Sequence, residues 1–391
     1  MTLITNTDAL ENFIAQARHS DFLTIDTEFM RERTYWPRLC LIQVGAEDQA
    51  VAIDPLAEGI DLAPFYRFLN DSDQLKVFHA GRQDLEIFFH QTGKLPSPIF
   101  DTQVAAMVCG FGESVGYDVL VRKVTGEEID KGSRFADWSH RPLSASQLSY
   151  ALGDVTHLRP VYQYLRDRLE ESGRAGWLQQ EMEILTDPET YINQPREAWR
   201  RLKVKSDKPK FLAVLREIAA WREEEAQRRD VPRNRVLKDE TLMDIAGQMP
   251  RKPQELGKIR SIPKGFSDSR HGEAILTAIN KAMDLPAAAM PNRKKKKKEL
   301  AGGIGPIVEL LKVLLKLRCE QHQVAPKLVA NAEDLQLLAA DDEADILALK
   351  GWRREVFGED ALALKQGRLG LRIENREVEV VEFDPEFRAA S

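Results

Sequence analysis

The sequence is poor in several features that would each have fixed a class. It has three cysteines in 391 residues, Cys40, Cys109 and Cys319. Their odd number and wide, unrelated spacings indicate neither a disulfide framework nor a zinc motif, and fit buried thiols in a reducing compartment. No stretch reaches the roughly 18 uncharged apolar residues of a membrane span. The opening "MTLITNTDAL" has neither the basic flank nor the apolar core of a signal peptide. A cytoplasmic protein with no membrane association is expected. The chain also lacks a net positive charge, standing at −6, which taken alone argues against a polyanionic partner.

That total conceals an uneven distribution. Residues 1–195 carry 17 Lys+Arg against 30 Asp+Glu, residues 196–300 carry 27 against 15, and the rest is again acidic. An acidic segment followed by a basic one suits a metal-binding or catalytic unit tethered to a unit that holds polyanions. Ordinary variation among solvated surfaces would give the same counts. The length points to two or three domains, and a hydrophobic content of 43% is enough to fold them.

The first 195 residues alternate strand and helix patterns. "FLTIDTEFM", "LCLIQVGA" and "AVAIDP" read as successive strands. "LKVFHA" is a fourth, passing through Gly81 into the helical "RQDLEIFFHQTG", which Gly93 stops. Ser144 is a plausible N-cap for a long late helix, and Pro160 marks a kink or break within it. From about residue 205 the strand signal nearly vanishes until the C-terminal tail. "KPKFLAVLREIAAWREEEAQRRD" is an amphipathic helix with Leu212, Leu215, Ile218 and Trp221 on its apolar side, and short helices follow. The same rhythm of one long helix and several short ones restarts near Gly305. Between the two lies a Pro-, Ala- and Gly-bearing stretch with Lys294 to Lys298 in a row, read as a solvated linker or, more sharply, a nucleic-acid contact.

Within "TIDTEF", Asp26 and Glu28 stand two residues apart on a predicted strand, so their side chains share one face. Asp84 falls in the first turn of a predicted helix, and Tyr150 and Asp154 share a helical face at i and i+4. If these carboxylates converge, they need cations. Mg²⁺ and Mn²⁺ take hard oxygen ligands and keep positions open for water and phosphate. Two such ions can clamp an in-line displacement at phosphorus, and a nearby tyrosine hydroxyl can position the attacking water.

The segments "TIDTEF", "VFHAGRQDLEIF" and "YALGDV" resemble the three exonuclease motifs of the DEDD superfamily, in the variant whose third motif carries tyrosine. The two helical units, "LKGWRREVFG" included, resemble the helicase and ribonuclease D C-terminal (HRDC) domain. The combination resembles the bacterial ribonuclease D family over essentially the whole chain. The resemblance implies an α/β ribonuclease-H-like exonuclease domain over 1–195, followed by two small all-α helical domains. The first, basic, spans 205–285, a Lys-rich linker 286–303, and the second, with the C-terminal tail, 304–391.

It also implies metal-dependent 3′-5′ hydrolysis of RNA, releasing nucleoside 5′-monophosphates, with tRNA precursors as substrates. Carried over by residue, Asp26, Glu28, Asp84 and Asp154 would hold two divalent ions, Mg²⁺ or Mn²⁺, and Tyr150 would orient the water. Phe29 is a candidate wall for the last base, or a core aromatic. His79 is a candidate substrate contact, or a satisfied strand-end histidine. Arg222, Arg233 and Lys238 are candidate phosphate contacts from local clustering, and a monomer is expected. The same carboxylates would serve a DNA exonuclease of proofreading or repair type. A non-catalytic nucleic-acid-binding adaptor would be expected to lack one of them, and none is missing.

Overall fold

The computed structural model describes residues 2–70, 73–130, 132–204, 206–291 and 303–383. Lys294 to Lys298 and most of the expected linker lie outside them. A six-stranded mixed sheet organises the first unit, with strands β1 (Thr2–Ile4), β2 (Phe22–Met30), β3 (Arg38–Gly45), β4 (Ala50–Ile53), β5 (Leu75–Phe78) and β6 (Ile99–Asp101) in the order β1-β4-β3-β2-β5-β6. β2 pairs antiparallel with β3 and parallel with β5, so it lies inside the sheet. The unbroken buried run Phe22–Ile25 suits a strand covered on both faces.

The four strands expected from the sequence are present within a residue or two. β1 and β6 are additional three-residue strands, too short to show a period of their own. Gly93 ends the helix Arg82–Thr92 in the left-handed conformation (φ 70°) that its missing Cβ permits. Ser144 caps the helix Ala145–Thr156 in a capping box with Gln147. The chain breaks at His157 and resumes as Leu158–Glu171, which places Pro160 in the first turn of the second helix, where its missing N–H is not needed.

The second unit packs around the helix Pro209–Arg229. Leu212, Leu215 and Ile218 are fully buried, as the apolar stripe required. Yet Glu217, Arg222, Glu223 and Glu225 are buried too, because the helix is the centre of its bundle rather than a one-sided surface helix. Trp199 and Leu202, ahead of residue 205, already belong to this cluster. The third unit packs around Gly305–Gln321, with short helices Pro326–Val329, Ala332–Ala340 and Glu359–Lys365. Its tail forms a two-stranded hairpin, β7 (Leu369–Glu374) with β8 (Glu377–Glu382).

Both helical units are tied to the first. The Tyr35 hydroxyl donates to buried Glu223 and accepts from Arg233 at 2.9 Å, while Asp230 accepts the backbone N–H groups of Tyr35 and Trp36 at 3.0 Å. On another side, Trp177 stacks on Trp352 of the third unit, centroids 4.3 Å apart and planes at 8°. The adjoining Arg353 guanidinium donates to Glu181. Among the described residues, no helix is long and apolar enough to cross a membrane.

Candidate active site

β2 carries Asp26 and Glu28 on one face, half-buried, at the point where its register with β3 slips at a bulge between Glu28 and Phe29. Over that face lies the helix Ala145–Thr156. Its approach is set by Gly45, where a Cβ would sit 2.4 Å from Thr24 Oγ1 and 3.1 Å from the Val155 carbonyl. The helix brings Asp154 down beside the pair: one carboxylate oxygen from each of Asp26, Glu28 and Asp154 lies within 4.8 Å of the others. Tyr150, one turn earlier on the same helix, lies close enough to Asp154 to oppose the rise of its pKa.

Asp84 is buried and comes from the start of the helix Arg82–Thr92, with its Oδ1 accepting from Thr27 Oγ1. It is close enough to raise the pKa of Glu28, but it stands outside the tight trio. Two contacts fix that helix. Arg31 at the end of β2 forms paired bonds of 2.8 and 2.9 Å with Glu86. Buried Asp101 accepts from the backbone N–H groups of Ala80 (3.2 Å) and Gly81 (2.8 Å) while capping the helix Thr102–Val108.

Like charges in low dielectric resist ionisation. Burial, then Asp26, Asp154 and Asp84, pushes Glu28 up to about 9. Burial and then Asp26 push Asp154 up to about 8. Asp26 rises to about 6 by burial, opposed by a backbone hydrogen bond at Thr27, and Asp84 is driven well above the usual carboxylate range by burial and then Asp26. Opposite Asp26 in the β3 register, fully buried Gln43 has no hydrogen-bond partner for either amide atom among the described residues. A cluster of hard oxygens held partly protonated beside an unfilled amide fits a hydrated divalent cation, which would release the protons and use the free donors and acceptors.

A cavity of about 310 Å³ opens on the cluster, lined by Asp26, Asp154, Tyr150, His79, Tyr117 and Arg134 among others. His79 Nδ1 shares a 2.9 Å hydrogen bond with Thr102, while its Nε2 is buried with no hydrogen-bond partner among the described residues. Burial lowers the His79 pKa, favouring the neutral ring. Tyr117 donates to the Asp154 carbonyl at 2.6 Å.

Comparison with known proteins identifies the architecture. Residues 1–170 match the family described as 3′-5′ exonuclease, and residues 211–279 match the HRDC domain. A ribonuclease D from Nitrobacter hamburgensis is 51% identical over 98% of this chain and 100% of its own length. The chain belongs to the ribonuclease D family. Ribonuclease D from Gluconacetobacter diazotrophicus is likewise 51% identical, over 96% of this chain and 95% of its own. The crystal structure of Escherichia coli RNase D, described as an exoribonuclease involved in structured RNA processing, superposes with a TM-score of 0.80 at 30% identity, covering 94% of this chain and 98% of that one.

Within this ribonuclease D fold, the residues expected from the sequence divide sharply. Asp26, Glu28, Asp154 and Tyr150 converge, with Asp84 adjacent. Phe29 is partly buried against the first core, apart from the residues that line the cavity. Two of the proposed phosphate contacts are engaged within the protein. Arg222 is 2% exposed and donates to the Leu237 carbonyl and Asp239, while Arg233 forms a two-bond pair with Glu223 and reaches Tyr35. Both guanidinium groups hold the second unit together or to the first, and Arg222 lies inside its bundle, where a cation must be paired. Lys238 is exposed.

Sequence reasoning missed Gly45, Asp101, Tyr117 and Arg134. A glycine inside an otherwise apolar strand signals close backbone approach, and "FDTQV" carries an N-cap pattern at Asp101. Nothing in the local pattern marked Tyr117 or Arg134.

Proposed function

We propose that this chain is a metal-dependent 3′-5′ exoribonuclease that trims single-stranded 3′ tails from structured RNA, tRNA precursors above all, and releases nucleoside 5′-monophosphates. The observation that carries the reading is the convergence of Asp26, Glu28 and Asp154 oxygens within 4.8 Å at the mouth of a cavity large enough for a nucleotide.

Asp26, Glu28 and Asp154 would hold the metal ions, two of Mg²⁺ or Mn²⁺, with Asp84 completing the set after releasing Thr27. When bound, such ions supply Lewis-acid activation of water and neutralise charge developing on the phosphate and the leaving oxygen. Tyr150, poised over Asp154, would turn its hydroxyl to orient the attacking water, its own proton being retained because burial and Asp154 raise its pKa. His79, whose ring lines the cavity, would contact the substrate there. The segment after β2 meets the second unit through Tyr35, and the excess of basic residues in that unit supports a role in holding the RNA body through its phosphates. Exposed Lys238 remains suited to that contact. The third unit repeats the helical rhythm of the second without its charge, and we take it as a second HRDC-like module that shapes access. The chain would act as a monomer in the cytoplasm.

Calorimetric titration of metal-free protein with Mg²⁺ and Mn²⁺ tests the ligand set. Wild type should bind two ions, and Glu28→Gln should lose one or both; unchanged binding in Glu28→Gln together with Asp154→Asn would exclude the cluster as the metal site.

A further inference from the structure

Phe135 is 92% exposed, the highest exposure among the large hydrophobic side chains of the described residues. It sits on a hydrogen-bonded turn. Ala136 N–H donates to the Ser133 carbonyl at 3.0 Å, closing a tight turn with Arg134 and Phe135 at its two corner positions. Neither corner has a positive φ, and turns of that kind accept most residues, so the turn itself does not demand an exposed aromatic at Phe135.

The flank after the turn is fixed to the site. Trp138 is buried against Cys40, Leu41, Ala151 and Leu152, and its ring lies 6.1 Å from that of Tyr150. Arg141 clamps Asp54 through bonds of 2.6 and 2.7 Å and also donates to the Trp138 and Cys40 carbonyls. The turn is thus presented by the same packing that seats the Tyr150 and Asp154 helix. Arg134 lines the cavity, where it is the sole Lys or Arg among the described lining residues, and its guanidinium lies 5.4 Å from the Phe135 ring centroid.

We propose that Arg134 and Phe135 form a nucleobase platform at the rim of the acidic centre: a base of the single-stranded 3′ tail stacks on Phe135, and Arg134 takes a phosphate of the same tail. The inference rests on the exoribonuclease reading above. Its physical logic is that the four carboxylates are taken up with holding metal ions at the scissile phosphate, so the tail beyond that phosphate needs its own hold, which a single cation at the rim beside a sequence-tolerant stacking surface supplies. A side chain already solvated on nearly all sides loses little by being covered with a base and gains the apolar contact.

The test compares wild type, Phe135→Ala and Phe135→Trp on tailed RNA in which each of the last four nucleotides in turn is made abasic. In wild type, one abasic position should raise KM about 10-fold; Phe135→Ala should raise KM for intact RNA by a similar factor, lose sensitivity to that position, and change kcat less. Phe135→Trp should restore both KM and the abasic penalty. A wild-type enzyme that degrades the RNA while Phe135→Ala matches its KM, or keeps the same abasic penalty, would overturn the platform. A wild-type protein inert on every RNA would overturn the exoribonuclease reading instead. Because Phe135 has almost no packing to lose, its variants should fold as wild type.

Discussion

Thr24 Oγ1 donates a 2.7 Å hydrogen bond to the Val155 carbonyl. Thr24 lies two residues before Asp26 on the same strand face, and Val155 follows Asp154 in the last turn of its helix, where carbonyls lack intrahelical partners. The bond therefore ties the strand of Asp26 to the helix of Asp154 across about 130 residues of chain. Gly45 makes room for it.

Gly45→Ala should accordingly damage both stability and activity. The new Cβ would press on Thr24 Oγ1 and on backbone of Val155, which cannot rotate away. A loss of about 1–3 kcal/mol is expected from such overpacking, with a fall in kcat larger than any change in KM. Thr24→Val, which keeps the shape but orphans the Val155 carbonyl, should share the direction of both effects. Denaturant unfolding and steady-state kinetics check this.

The raised carboxylates predict an inverted pH dependence of stability without metal. Asp26, Asp154 and Glu28 hold protons in the folded state up to about 6, 8 and 9, against about 4 when unfolded. Between those limits the folded state binds more protons than the unfolded, so stability falls as pH rises. Melting temperatures of metal-free protein should decline from pH 6 to pH 9, and Glu28→Gln should flatten the slope. Mg²⁺ should oppose the decline, with affinity increasing over the same range as bound protons are released.

Much of this site was legible in the sequence, for a physical reason. Asp26 with Glu28 and Tyr150 with Asp154 are neighbours through strand and helix periodicity, so spacing alone puts each pair on one face. What lay beyond reach depends on distant partners. Arg222 and Arg233 look like a basic patch in one dimension, and only the packing of Pro209–Arg229 at the centre of its bundle shows that Asp239 and Glu223 consume them. Nothing in the local pattern marks Phe135, whose exposure and place beside Arg134 are set by the fold.

Asp101→Ala should displace Asp84 without touching it. The carboxylate holds the Ala80 and Gly81 amides at the turn into the Asp84 helix and caps the next helix. Its removal should cost about 2–3 kcal/mol. Activity should fall further than in an equally destabilised core variant such as Ile14→Val combined with Ile53→Val, compared at a temperature where all are folded.

Trp352→Ala should loosen the third unit rather than the centre. It removes a buried ring stacked on Trp177 and should cost about 3–5 kcal/mol locally. Hydrogen exchange should quicken in Gly305–Gln321 and near Trp177 while β2 stays protected.

The central claim is that the Asp26, Glu28 and Asp154 cluster hydrolyses RNA from the 3′ end. Its most direct test follows 5′-labelled RNA with a duplex body and a short 3′ tail, with Mg²⁺ or EDTA, for wild type and Asp154→Asn. A ladder shortening from the 3′ end, abolished by EDTA and slowed at least about 100-fold in the variant, is the predicted result. Undiminished degradation by a folded Asp154→Asn, or a wild-type ladder that persists in EDTA, would contradict it.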